Sequence, residues 1–96
     1  MTSKQRSKLK SIAANLSPVT QIGKGGISEN LLKTLSEALE AREIIKVNVL
    51  PTAEADADTM AQNAADLLGA EEVAVIGRKA IFYRPSSRKD VEHIEL

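Results

Sequence analysis

The sequence predicts an α/β (α+β) domain with the element order α-β-α-β-α-β-β, a mixed four-stranded sheet packed against helices. Three observations carry this expectation. Apolar residues recur at helical spacing in three stretches, and short runs rich in β-branched residues separate those stretches. Near the end, two apolar runs flank a turn containing glycine. A strand, a helix and a second strand in succession imply a right-handed crossover and two parallel strands. At 96 residues the chain is long enough for one core and too short for two, so residues 1–96 are expected to form a single domain.

The first helix is expected from about Ser3 to Leu16. Thr2 and Gln5 have capping-box spacing, and Leu9, Ile12, Ala13 and Leu16 form its apolar stripe. Lys4, Lys8 and Lys10 lie mainly off that stripe, and Arg6 lies on its flank. Ser17-Pro18 ends the helix, because proline disfavours helical geometry in the residue before it. Val19 to Ile22 reads as a short strand. The second helix runs from about Glu29 to Arg42, with Ser28 as N-cap and Ile27 positioned to staple against Leu32. Its buried face is Leu31, Leu35, Ala38 and Leu39. Ile44 to Leu50 is a strand stopped by Pro51, with Ile45, Val47 and Val49 alternating with Lys46 and Asn48.

The third helix is expected over Ala53 to Leu68, stopped by Gly69, with Ala57, Met60, Ala61, Ala64, Leu67 and Leu68 inward. Val73 to Ile76 and Ala80 to Tyr83 form an antiparallel hairpin across Gly77-Arg78-Lys79. Residues 86–96 form a tail that is either mobile or folded into one helical turn.

A formal net charge of zero conceals a segregated pattern. Residues 1–26 carry Lys4, Arg6, Lys8, Lys10 and Lys24 and no acid. Residues 54–72 carry Glu54, Asp56, Asp58, Asp66, Glu71 and Glu72 and no base. Residues 73–89 return to Arg78, Lys79, Arg84, Arg88 and Lys89. Such blocks predict a molecule with a positive and a negative side, since a surface field follows local charge; alternatively, ordinary solvated faces alternate along the chain.

Several function classes lose support. His93 is the single histidine, cysteine is absent, and no nucleophile, base and orienting group fall together, so no enzyme is expected. His93 reads as a surface residue without a role. Glu54, Asp56 and Asp58 bunch where acids favour a helix N-terminus, which explains them better than a metal site does. Neither cofactor nor metal is expected. There is no secretory h-region and no apolar run near the ~20 residues a membrane span needs, which points to a cytoplasmic protein with no membrane partner. A monomer is the working expectation.

Gly23-Lys24-Gly25-Gly26 joins the first strand to the second helix. Such a loop lets backbone approach a phosphate closely, and lysine adds a mobile positive charge. It lacks the endings of a Walker A or dinucleotide fingerprint, so a nucleotide-dependent enzyme is a remote reading. Phe82 and Tyr83 are the only aromatic residues and both lie in a strand, so no platform for stacking successive bases is available. Any nucleic acid bound here is expected to be read through phosphates, 2′-hydroxyls and shape, as folded RNA is.

Taken together, Ser3-Lys4-Gln5-Arg6, Leu16-Ser17-Pro18-Val19, Gln21 to Ser28, Glu43 to Val47, Val75-Ile76-Gly77-Arg78 and Tyr83-Arg84 resemble, in order, the small YhbY-like bacterial proteins that consist of one CRM domain. The resemblance spans roughly residues 3–85. It implies an RNA-binding domain related in architecture to the C-terminal domain of translation initiation factor three. It further implies association with structured rRNA in precursors of the large ribosomal subunit; the same domain occurs in plant organelle splicing factors. The Gly-x-x-Gly loop resembles that of KH domains, which makes Gly23, Lys24, Gly25 and Gly26 the central RNA-contacting candidates. Lys4, Lys8 and Lys10 of the first helix, with Arg78, Lys79 and Arg84, follow on their charge. Relatives that bind RNA are expected to be basic, whereas this chain is neutral through its acidic third helix. That helix is therefore expected to face away from RNA, toward a ribosomal protein or solvent. The alternative reading is a protein-interaction module that docks on a ribosomal protein with little RNA contact.

Overall fold

Local signals set the helix starts. In the computed structural model, which describes residues 1–96, Thr2 and Gln5 close a reciprocal capping box at the head of α1 (Ser3–Ala13). Ser28 accepts from the Leu31 N–H to start α2 (Glu29–Arg42), whose bounds match the expected ones. Asp56 accepts from the Thr59 N–H at 2.8 Å and starts α3 (Ala57–Leu68) four residues later than expected, since Ala53 is held in a turn by its bond to the Leu50 carbonyl. Helix α1 also ends early. The Asn15 and Leu16 N–H groups reach back only three residues, to Ile12 and Ala13, so Leu16 meets the core from a turn.

Four strands make one mixed sheet in the order β1-β2-β4-β3: β1 (Thr20–Ile22), β2 (Ile44–Val49), β4 (Lys79–Tyr83) and β3 (Glu71–Ile76). Strands β1 and β2 are parallel, and the other two pairings are antiparallel. Gly77-Arg78 joins β3 to β4 as a two-residue turn rather than the expected three, Lys79 already belonging to the ladder. Gly77 has φ +63°, the left-handed geometry that tight hairpins demand.

The alternation along each strand sorts side chains to two faces. Ile22, Ile45, Val47, Val49, Ala80 and Phe82 pack with Leu35 and Leu39 of α2 and with Met60, Ala61, Ala64 and Leu68 of α3. Ile44, Val73, Ile81 and Tyr83 pack on the opposite face against Leu9 and Ala13 of α1. Leu67, expected inward, is 63% exposed, and Ala65 is buried in its place. The stripe Ala61, Ala64, Ala65, Leu68 follows the i, i+3, i+4, i+7 rule, which puts Leu67 on the outer side. No helix is long and apolar enough to cross a membrane.

Residues 86–96 contain no helical turn. They are tied to the body by two carboxylates. Glu40 accepts from the Ser87 N–H and hydroxyl. Glu43, only 1% exposed, accepts from the Ser86 N–H (2.6 Å), the Ile94 N–H (2.6 Å) and His93 Nδ1 (2.8 Å). His93, expected to be without a role, thus partners a buried acid.

Candidate nucleic-acid interface

Gly23 to Gly26 is a β-turn whose Gly26 N–H donates to the Gly23 carbonyl at 2.9 Å, leaving Lys24 and Gly25 exposed at its tip. The glycines are there for different reasons. A Cβ at Gly23 would stand 3.1 Å from Leu50 Cδ1, a tight contact that the Leu50 side chain would have to relieve by a few tenths of an ångström. Gly26 has φ +68°, which side chains strain to adopt. Gly25 has neither constraint: a Cβ would meet nothing within 4 Å. Backbone geometry thus bears on Gly26 and packing on Gly23, while Gly25 is open for close approach by a ligand.

The sheet fixes what lies beside this turn. The Leu50 N–H donates to the Ile22 carbonyl and the Val49 N–H to the Arg78 carbonyl, at 2.8 and 2.7 Å. The glycine loop and the Gly77-Arg78 hairpin thus stand at one end of the sheet. There the register aligns Gln21 with Asn48, Asn48 with Lys79, and Lys79 with Ile76, a row crossing all four strands. The row lies on the face that α1 covers further along. On that face β2 runs from buried Ile44 to Lys46 and Asn48, and β4 from Tyr83 and Ile81 to Lys79. The surface turns from apolar to polar where α1 stops.

Between the end of α1 and this row lies a hollow of about 240 Å³, lined by Lys10, Ala14, Lys46, Ile76, Lys79 and Ile81. It has three lysines and no carboxylate. Lys10 and Lys79, expected from charge, are brought together here. Lys46 joins them and was not foreseen, because a lysine alternating with buried residues reads as an ordinary outward position. The protein's ion pairs, Arg84–Glu40 and Arg88–Asp90, and the His93–Glu43 hydrogen bond all lie elsewhere.

The other candidates are placed differently. Arg78 borders a hollow with Asp56 and Asp58 at the head of α3, without an ion pair to either. Hydrogen bonds from the Thr59 backbone and hydroxyl hold the Asp56 carboxyl below its ordinary pKa, so this border is firmly negative. The acidic helix lies mostly on the far face, yet its N-terminal carboxylates reach the hairpin. Lys4 and Lys8 line a separate hollow with Leu96, and Lys8 Nζ donates to the Glu95 carbonyl. Arg84, expected with the basic surface, is turned into the scaffold. Its Nη1 donates to the Leu68 carbonyl (2.8 Å) and its Nη2 to the Ser36 carbonyl (3.1 Å) and hydroxyl (2.9 Å), with Glu40 3.3 Å away. No group of three or more His, Asp or Glu side chains is placed to hold a metal ion.

Known proteins resemble this chain along nearly its whole length. The probable RNA-binding protein YqeI of Bacillus subtilis is 41% identical over 96 residues, covering all of this chain and 98% of its own. The probable RNA-binding protein PA4753 of Pseudomonas aeruginosa is 34% identical over 102 residues, covering 98% and 92%. The solution structure of the hypothetical protein SAV1595 from Staphylococcus aureus superposes with a TM-score of 0.78 at 41% identity, covering 98% of this chain and 99% of that one. Residues 1–84 match the CRS1 / YhbY (CRM) domain, and the chain belongs to that family.

Proposed function

We propose that this protein is a non-enzymatic RNA-binding factor of the cytoplasm that assists assembly of the large ribosomal subunit. It contacts structured rRNA of the precursor particle through the Gly23–Gly26 turn and the adjoining lysines. The observation that carries the reading is the convergence of Lys10, Lys46 and Lys79 in a hollow without a carboxylate, at the sheet end that also carries Lys24. Closely spaced ammonium groups without counter-charges attract a phosphate backbone and release its counterions. The names of the relatives support RNA as the partner. The large-subunit precursor is what the family resemblance implies.

The test is affinity for a structured large-subunit rRNA fragment across a salt series, with native protein and Lys24→Glu side by side. The expected result is steep salt dependence, shallower by about one phosphate contact in the variant, with the fold unchanged because Lys24 is exposed. Flat or undetectable binding by both proteins overturns it.

A second reading has its own observation. On the opposite side of the loop, Gly26, Ile27, Glu54, Met60, Asp66 and Leu67 border a hollow of about 440 Å³ that is acidic and apolar. It suits a basic segment of a ribosomal protein, and association with ribosomal particles that survives Lys24→Glu but weakens in Asp66→Lys would favour this docking role.

A further inference from the structure

One exposed apolar side chain stands out of place. Ile76 is 57% exposed, yet it lies in the polar row at the end of the sheet, register-paired with Lys79. Its neighbours in the lysine hollow include Ala14 and Ile81. The hollow therefore has an apolar floor and a cationic rim. A phosphate site needs only the rim. A rim and a floor together match a nucleotide whose base has left its stack, with an apolar flat face on one side and a charged backbone on the other.

We propose that this hollow seats a single unpaired nucleotide, a bulge or loop residue of a folded RNA. The base rests on Ile76 and Ala14, which are exposed above the buried Ile81, and its flanking phosphates lie against Lys10, Lys46 and Lys79. The inference rests on the RNA-binding reading above and adds a subsite to it. Three features support it. At about 240 Å³ the hollow is smaller than a drug-sized pocket, as befits one base rather than a stacked run. The lysine stems are aliphatic and extend the floor while their ammonium groups remain wet. Next along the row are Asn48 and Gln21, whose amides both donate and accept and so suit the edges of an adjoining base. Sequence-selective RNA recognition generally targets bases splayed out of loops and bulges. One aliphatic seat provides this without the aromatic platform that the chain lacks.

The experiment uses two RNA hairpins that share one 2-aminopurine, bulged in the first and paired with an added opposing uridine in the second. Native protein, Ile76→Thr and Ile76→Leu are titrated against both. Threonine keeps the β-branching that suits a strand and removes the apolar end; leucine keeps the apolar bulk. Native protein is expected to bind the bulged hairpin about fivefold more tightly than the paired one, roughly what burying part of an isoleucine is worth. The bulged base should change its fluorescence on binding. Ile76→Thr should lose the preference, its affinity for the bulged hairpin falling to that for the paired one, and Ile76→Leu should keep it. Equal affinity of native protein for both hairpins, with no change at the bulged base, overturns the seat and leaves the RNA-binding reading standing. No binding of either hairpin by native protein overturns both.

Discussion

The Glu43 carboxylate lies 2.8 Å from His93 Nδ1, across fifty residues of sequence, and this pair fastens the end of the chain to its middle. Glu43 has a positive φ, +66°, between α2 and β2, and its side chain is buried. Burial raises its pKa, but hydrogen bonds from His93 and from the Ser86 and Ile94 N–H groups outweigh it, so the net shift is downward. A lowered folded-state pKa means the unfolded chain takes up the proton first as pH falls. The stabilisation is therefore present above the ordinary carboxylate range and lost as pH drops through it. Urea titrations between pH 7 and pH 3 should show that loss, and Glu43→Gln should make the curve shallower. At neutral pH, Glu43→Ala should cost about 2 kcal/mol, because it leaves two N–H donors without their acceptor. An unchanged acid profile in Glu43→Gln would assign the tail's attachment to other contacts.

The glycine turn separates folding from binding. Gly26→Ala should destabilise the protein by about 1 kcal/mol through its positive φ. Gly25→Ala should leave thermal stability within about 0.5 kcal/mol, the range of neutral surface changes, and weaken RNA binding. Calorimetry and RNA titration on the two variants check this. Native affinity in Gly25→Ala would mean that the backbone there never meets the ligand.

The lysines should divide by position rather than by charge. Lys46→Ala and Lys79→Ala should each lower the slope of log affinity against log salt by about one. Lys8→Ala should leave the slope unchanged, since Lys8 stands at the tail beside Glu95. Equal effects from all three would point to a diffuse field in place of a localised interface.

Arg84 should behave as a scaffold residue. Arg84→Ala removes bonds to the Leu68 carbonyl at the end of α3 and to Ser36 within α2, and should lower stability by about 2 kcal/mol. The salt slope of RNA binding should not change. A lost phosphate contact in a stably folded Arg84→Ala protein would return this residue to the interface.

Legibility followed the range of the interactions. The element order and the bounds of α2 depend on caps and apolar stripes within a few residues, and the sequence carries these openly. The grouping of Lys10 with Lys79 depends on strand register and on where α1 stops, so charge alone could name both without joining them. Lys46 had a weak signal: Ile45, Val47 and Val49 alternate with it, which puts it with Asn48 on one face. What covers that face is decided by a helix more than thirty residues earlier, which ends at Ala13. Arg84 and Glu43 gave no local sign of their roles. The partners of Glu43 arrive 43 to 51 residues later, and two of the three are main-chain groups with no side-chain signature.

The main-chain clasp on Glu43 bears on the extent of the domain. The family match stops at residue 84, whereas the groups that satisfy the Glu43 carboxylate continue to Ile94. Peptide N–H groups are supplied by every residue except proline. A clasp built largely from them therefore constrains the path of the tail and leaves its spelling open to drift. The family match therefore stops short of a segment that the folded unit holds by hydrogen bonds, whereas the match to YqeI runs through it.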